Sequence, residues 1–203
     1  MAKTLMMDVD GVLIRGRPDD GRSWSTDLYV DLGLRAEDLH KAFFVPHWHD
    51  IVIGRAVLAD RLSLALAEIA PHLTAEQLIA YWFRQDARVD EQLLSELGAL
   101  RQRGVEVYLA TNQDHRRADY IMRDLGFSQH VDGIHYSAAL GCRKPDREFF
   151  RKVADRLQRA PADLLLIDDF LDNVLSAEAA GWSAEHWTGE KRFAELLESH
   201  FGM

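Results

Sequence analysis

The sequence predicts an α/β protein with a three-layer core, a parallel sheet and a small helical cap inserted into the core. Three observations support this fold class. Apolar segments alternate with amphipathic helices from residue 90 to about 187, one apolar segment stands apart at Leu5–Met7, and a mostly helical block separates the two. Such alternation is typical of parallel strands covered by helices on both faces. We therefore predict a core from residues 1–14 and 89–203, and a cap from residues 15–88.

The predicted strands are short apolar runs that end in polar residues or turns. After Leu5–Met7 they are Val105–Ala110, Gly133–Ser137, Leu164–Ile167 and, with a weaker pattern, Ala184–Trp187. The fourth is the most apolar run of the chain, as expected for a strand that is buried on both faces.

The predicted helices carry apolar residues at spacings of three and four. In the predicted cap, Leu58–Ile69 has this pattern and stops before Pro71, and Thr74–Gln77 has the form of a capping box. Asp90 is placed to cap the first helix of the second half. The later helices are predicted up to Gly104, up to Gly126, over 146–159 and around 173–180.

Composition excludes several classes of protein. The chain has 203 residues, of which 47% are hydrophobic and 28% charged, an ordinary globular balance. Its net charge of −9 disfavours non-specific binding to nucleic acid or to anionic lipid. One cysteine permits no intrachain disulfide, and no apolar run approaches the ~20 residues of a membrane span. We expect a soluble cytoplasmic protein that binds neither nucleic acid nor membrane, while the oligomeric state stays open.

Polar residues gather where the predicted strands end. In chain order they are Asp8 and Asp10, Thr111 and Asn112, Lys144, and Asp168 with Asp169. In an open parallel sheet, ligands bind at the carboxyl edge near the point where the strand order reverses. Several carboxylates in one crevice repel each other, so a cation is expected there, and oxygen ligands favour Mg²⁺.

Four of these segments resemble, in order, the motifs of the haloacid dehalogenase superfamily. They are Met7-Asp8-Val9-Asp10-Gly11-Val12-Leu13, Leu109-Ala110-Thr111-Asn112, Arg143-Lys144-Pro145-Asp146 and Leu166-Ile167-Asp168-Asp169. The resemblance spans residue 5 to about 180. It implies a Rossmann-like core with the cap inserted after the first strand. Within the superfamily, the sequence is most similar to small phosphatases that act on sugar phosphates or similar metabolites.

The resemblance also implies catalytic roles. Asp8 would attack phosphorus and form an aspartyl-phosphate, and Asp10 would protonate the leaving oxygen and then activate water. Thr111 and the backbone N–H of Asn112 would hold phosphoryl oxygens. Lys144 would neutralise charge on the phosphate and on the Asp8 carboxylate.

The same resemblance implies the metal ligands. Mg²⁺ would be bound by Asp8, by the main-chain carbonyl of Asp10 and by Asp169. Asp168 is expected to support the site from behind or to act as an alternate ligand, and Asp172 is a further candidate.

Other functions are weighed against this hypothesis. A sugar phosphomutase would pass the phosphoryl group to a second hydroxyl instead of water. A dehalogenase is disfavoured by Asp10, because a leaving halide needs no proton, and an idle regulatory protein would not need the four motifs.

The segment from His47 to Asp50 contains two histidines and an aspartate, which are residue types that bind zinc. No partner ligands are placed near it, so packing or a substrate-facing position is the favoured interpretation.

Overall fold

A computed structural model describes residues 4–189 and 193–202. Within them, five parallel strands form one sheet in the order β3-β2-β1-β4-β5. The strands are β1 (Thr4–Met7), β2 (Val107–Thr111), β3 (Gly133–Tyr136), β4 (Leu164–Asp168) and β5 (Ser183–His186). The predicted α/β class with a parallel sheet is confirmed.

Helices cover both faces of the sheet. Along β1, Leu5 and Met7 face one apolar cluster and Met6 faces the other, as the alternation of side chains along a strand requires. The first cluster includes residues of α6 (Glu91–Gln102), α7 (His115–Arg123) and α11 (Phe193–Phe201). The second includes residues of α8 (Ser137–Leu140), α9 (Arg147–Leu157) and α10 (Leu171–Ala179).

The segment between β1 and α6 is helical and has its own apolar cluster. Its helices are α1 (Leu28–Leu32), α2 (Ala36–Leu39), a π-helical turn (His40–Phe44), α3 (Val45–Val52), α4 (Leu58–Ile69) and α5 (Ala75–Gln85). The predicted capping box begins α5, since the Thr74 side chain accepts from the Gln77 amide and the Gln77 side chain accepts from the Thr74 amide. A bridge between Ile14 and Val89 lies where the chain leaves and re-enters the sheet layer.

Some boundaries differ from the prediction. β2 begins two residues late, because the Val105 amide donates to the Leu100 carbonyl and so closes the end of α6. β4 extends to Asp168, so this carboxylate sits on the last residue of a strand. Helix α11 was not predicted, although Phe193, Leu196 and Leu197 have helical spacing.

The predicted core range includes residues 1–3, 190–192 and 203, which lie outside the described residues. In the described part of the chain, no helix is long and apolar enough to cross a membrane.

Candidate active site

The segments that carry the four motifs meet at the carboxyl edge of the sheet. β1 lies between β2 and β4, so Asp8 directly after β1 is a neighbour of Thr111 and Asp168, which end the other two strands. The loop between α8 and α9 brings Lys144 to the same place, where its amine contacts the carboxylates of Asp8 and Asp168. The tertiary structure thus assembles residues that are far apart in the sequence.

A tight turn after β1 separates the orientations of Asp8 and Asp10. The Val9 carbonyl accepts hydrogen bonds from the amides of Leu13 and Ile14, at 2.8 and 2.9 Å. Asp8 stays buried and accepts from the Val9 amide through Oδ1 at 2.7 Å, whereas Asp10 is exposed. Two carboxylates only two residues apart therefore occupy different environments.

Lys144 is the buried centre of the site, with only 2% of its surface exposed. Its Nζ lies 3.0 Å from Oδ1 of Asp8, 2.5 Å from Oδ2 of Asp168 and 2.7 Å from the carbonyl of Ala110. Burial disfavours the charged amine, but the charges of Asp8 and Asp168 outweigh it and raise the pKa of Lys144. Burial raises the pKa of Asp8, and Lys144 opposes that increase.

Asn112 fixes the backbone of Lys144. The Asn112 side-chain amide donates to the Lys144 carbonyl, and its Oδ1 accepts from the Lys144 amide, both at 2.9 Å. This reciprocal pair joins the end of β2 to the loop before α9. The Asn112 side chain therefore has a structural task, while its backbone N–H remains the group expected to meet a phosphoryl oxygen.

Asp168 has both oxygens engaged by the protein. Oδ1 accepts from the amide of Phe170 at 2.9 Å, and the side-chain amide of Asn173 donates to both oxygens at 3.0 and 3.1 Å. With Lys144 on Oδ2, this fully buried carboxylate is saturated by donors. The neighbouring Asp169 is exposed, and partial burial together with the charge of Asp168 raises its pKa.

Oxygens of Asp8, Asp168 and Asp169 all lie within 4.8 Å of one another. Among the described residues, this is the group of side chains able to share a metal ion. Asp172 is exposed on α10 and does not belong to it, and neither do His47 and His49, which lie on α3.

Gln113 joins the two sides of the crevice and was not predicted. Its Nε2 donates to Oδ2 of Asp10 at 2.7 Å and to Oγ1 of Thr111 at 3.2 Å. Asn173 was also missed. Gln113 directly follows Asn112, and Asn173 lies shortly after Asp169. A search for side-chain amides close to the predicted motifs could therefore have found both.

A second polar group lies where α5 approaches α7. Arg117 donates to the carbonyls of Phe83 and Asp86, and its guanidinium pairs with the Asp86 carboxylate. Burial, with a contribution from the charge of Asp10, raises the pKa of Asp86 to about 6. Arg116 forms a two-point ion pair with Glu76 at the other end of α5. The helical segment is thus held to α7 at both ends of one helix.

The chain matches known proteins over most of its length. A family profile described as haloacid dehalogenase-like hydrolase matches residues 2–181. The sesquiterpene phosphatase astK of Aspergillus oryzae is 36% identical over 193 residues, which cover 92% of this chain and 90% of that protein. A plasmid-encoded phosphoglycolate phosphatase of Cupriavidus necator is 27% identical over 186 residues, which cover 87% and 77% of the two chains.

Solved structures share the fold. A haloacid dehalogenase family enzyme of Bacteroides thetaiotaomicron, crystallised with magnesium and inorganic phosphate, superposes with a TM-score of 0.79 at 19% identity. The match covers 97% of this chain and 99% of the other. Together with the four motifs at one sheet edge, the profile and the sequence relatives establish that this chain belongs to the haloacid dehalogenase-like hydrolases.

Proposed function

We propose that this protein is a Mg²⁺-dependent phosphomonoester hydrolase that acts on a small phosphorylated metabolite through an aspartyl-phosphate on Asp8. The observation that carries the proposal is the buried amine of Lys144, which contacts Asp8 and Asp168 at the carboxyl edge of the sheet. An anionic nucleophile can approach an anionic phosphate only where positive charge offsets the repulsion. Relatives named as phosphatases support the same reaction class.

The residues of the site divide the task. Asp8 is the nucleophile, since one of its oxygens is tied to Lys144 and the Val9 amide and the carboxylate sits at the end of the central strand. The Thr111 hydroxyl accepts from Gln113, so its own hydrogen is available for a phosphoryl oxygen. The Asn112 amide and Lys144 complete the binding of that group.

Asp10 acts as general acid and then as general base. It follows the nucleophile by two residues, and its exposed carboxylate is separated from Asp8 by the turn at Val9. In the first half-reaction it protonates the leaving oxygen, and in the second it takes a proton from the water that attacks the aspartyl-phosphate.

The donor set fits Mg²⁺. It consists of carboxylate oxygens without histidine or cysteine, and hard oxygen ligands suit this cation. We assign Asp8, the main-chain carbonyl of Asp10 and Asp169 as the protein ligands. Asp168 is placed behind them, because its oxygens are engaged by Lys144 and Asn173. When bound, Mg²⁺ would supply positive charge that stabilises the transferring phosphoryl group.

We further propose that residues 15–88 form a cap over a core of residues 1–14 and 89–203. The separate apolar cluster of the helical segment supports this division. So do the ion pairs that hold α5 against α7, next to the site. Substrate would then bind between the two parts, and the cap would select its leaving group.

A sugar-phosphate-like metabolite is the proposed substrate class. Relatives named for phosphoglycolate and for phosphorylated carbohydrates support polar substrates. The sesquiterpene phosphatase and the half-buried rings of Trp24, Phe44 and Trp48 around Trp82 are reasons to test apolar esters beside them.

A metabolite screen tests the proposed function. The purified protein is assayed for phosphate release from sugar phosphates, phosphoglycolate, isoprenoid monophosphates and p-nitrophenyl phosphate, with Mg²⁺ and with EDTA. We expect Mg²⁺-dependent phosphate release that Asp8→Asn abolishes by at least about a thousandfold, because an amide cannot form the acyl-phosphate. An isomeric sugar phosphate as the product would instead identify a phosphomutase, and activity retained by Asp8→Asn would remove Asp8 from the role.

A further inference from the structure

Gln113 is a buried polar residue beside the reacting groups, and the roles assigned above give it no part in the acid–base step. It lies two residues beyond the end of β2 and exposes 3% of its surface. A buried amide must satisfy its hydrogen-bonding groups inside the protein, so its partners indicate what it does.

Both partners of the Gln113 amide nitrogen are groups of the site. Nε2 donates one hydrogen bond to Oδ2 of Asp10, at 2.7 Å, and a second to Oγ1 of Thr111, at 3.2 Å. The first partner follows β1 and the second ends β2, so one side chain bridges two neighbouring strands. Among the side chains that the structure describes, Gln113 is the one that donates a hydrogen bond to the Asp10 carboxylate.

The backbone of Gln113 is itself held in place. Its carbonyl accepts from the Ser137 hydroxyl and from the Ala138 amide, both at 3.2 Å, at the start of α8. The side chain therefore projects from an anchored backbone. An anchored donor is able to fix the carboxylate that accepts from it, and that carboxylate belongs to Asp10, which is exposed on a turn.

We propose that Gln113 is a positioning residue for the acid–base step. By holding Oδ2 of Asp10, it directs Oδ1 toward the leaving oxygen, and by donating to Thr111 it leaves the threonine hydrogen for the phosphoryl group. This inference rests on the proposed function, because it concerns the same reaction. Positioning of a general acid matters in proportion to how much the leaving group needs a proton.

The leaving-group dependence of the first half-reaction tests the proposal. Single-turnover release of the leaving alcohol is measured by rapid quench for p-nitrophenyl phosphate, for phenyl phosphate and for the best alkyl phosphate of the screen. The variant is Gln113→Leu, which keeps the size of the side chain and removes the donor. The control is Gln102→Leu, at an exposed position on the last turn of α6.

We expect Gln113→Leu to slow the alkyl ester at least about tenfold more than the p-nitrophenyl ester, within the range that a general acid contributes. In an Asp10→Asn background the same substitution should add no further leaving-group dependence, because the group that it positions is absent. Equal loss on all three substrates, or a dependence that persists in that background, would overturn the proposal. Gln102→Leu should behave as wild type.

A second variant and a spectroscopic readout guard against misfolding. Gln113→Glu has the same shape and replaces the donor by an acceptor beside Asp10, so it should show the same selective loss. In a ¹⁵N–¹H spectrum of the metal-free protein, the side-chain amide signals that disappear in Gln113→Leu should shift in Asp10→Ala. Signals that do not shift would contradict the contact between Gln113 and Asp10.

The two proposals can fail separately. A wild-type protein that releases no phosphate would refute the proposed function, and the spectrum would still report on the contact between Gln113 and Asp10.

Discussion

The backbone of Gly11 packs directly against the carboxylate of Asp169. Gly11 has a φ of +82°, and a Cβ built on it would overlap Oδ2 of Asp169 well inside van der Waals contact. Glycine is required at this position for two reasons. Other residues avoid this φ, and any side chain would occupy the space of the Asp169 carboxylate. The turn after β1 and the end of β4 are thus fitted to each other by one missing side chain.

Gly11→Ala should therefore weaken Mg²⁺ binding. The added methyl group forces the Asp169 carboxylate to move, and we expect the Mg²⁺ concentration for half-maximal phosphatase activity to rise about 10–100-fold. The matched control is Gly104→Ala, which has a φ of +89° and open space around the position of the new Cβ. It should cost about 1–2 kcal/mol of stability and leave the Mg²⁺ requirement unchanged. An equal effect of both variants on Mg²⁺ would show that backbone strain, not the contact, is responsible.

Asp169→Ala should remove a direct metal ligand. Isothermal titration with Mg²⁺ in the absence of substrate should show binding at least about 100-fold weaker than in wild type. Asp172→Ala is the control, because Asp172 is exposed on the same segment and lies outside the carboxylate group. Weaker binding in Asp172→Ala than in Asp169→Ala would exchange the two assignments.

Asp10→Asn should separate the two acid–base steps. An aryl phosphate with a good leaving group needs little protonation, so it should still phosphorylate Asp8, whereas hydrolysis of the aspartyl-phosphate needs the base. Stopped-flow measurement with p-nitrophenyl phosphate should show a burst of p-nitrophenol whose amplitude equals the enzyme concentration. A slow steady state should follow. A variant that loses both phases equally and shows no burst would remove Asp10 from the acid–base role.

His135 should make the folded state sensitive to acid. Burial, with a contribution from Arg156, lowers the pKa of His135 to about 4, and its Nε2 is buried without a hydrogen-bond partner. The unfolded chain takes up a proton below a pKa of about 6.5, which the folded protein accepts only near 4. Stability is therefore unaffected above this window and falls as the pH decreases from about 6.5 to 4.

The measurement is denaturant unfolding at pH 7.5 and at pH 5.0. His135→Phe keeps a ring against Tyr108, which His135 contacts at a centroid distance of 5.4 Å, and removes the titration. The loss of unfolding free energy between the two pH values should be smaller by about 2 kcal/mol in this variant. His49→Gln, at an exposed position on α3, should leave the pH dependence as in wild type.

Most of the fold was predictable from local patterns. Strands of a parallel sheet are buried on both faces, so Leu5–Met7 and Leu164–Ile167 appear as continuous apolar runs, and capping residues such as Thr74 and Asp90 mark helix starts. Helix α11 was not predicted, although its buried residues Phe193, Leu196 and Leu197 have helical spacing.

The residues of the candidate site were also only partly predictable from the sequence. Asp8 and Asp169 could be named from the sequence because they directly follow apolar strands, and such strand ends meet at one edge of a parallel sheet. Lys144 lies in the loop after α8, so it could be named only because its segment resembles a motif of the superfamily. The bonds between these residues could not be named. Whether Asp168 faces Lys144, whether Gln113 reaches Asp10 and whether Gly11 leaves room for a carboxylate depend on three-dimensional distances between segments that are 24 to more than 100 residues apart in the sequence. The local pattern of a chain determines which residues its strands deliver to the edge, whereas only the packed tertiary structure decides which of them touch.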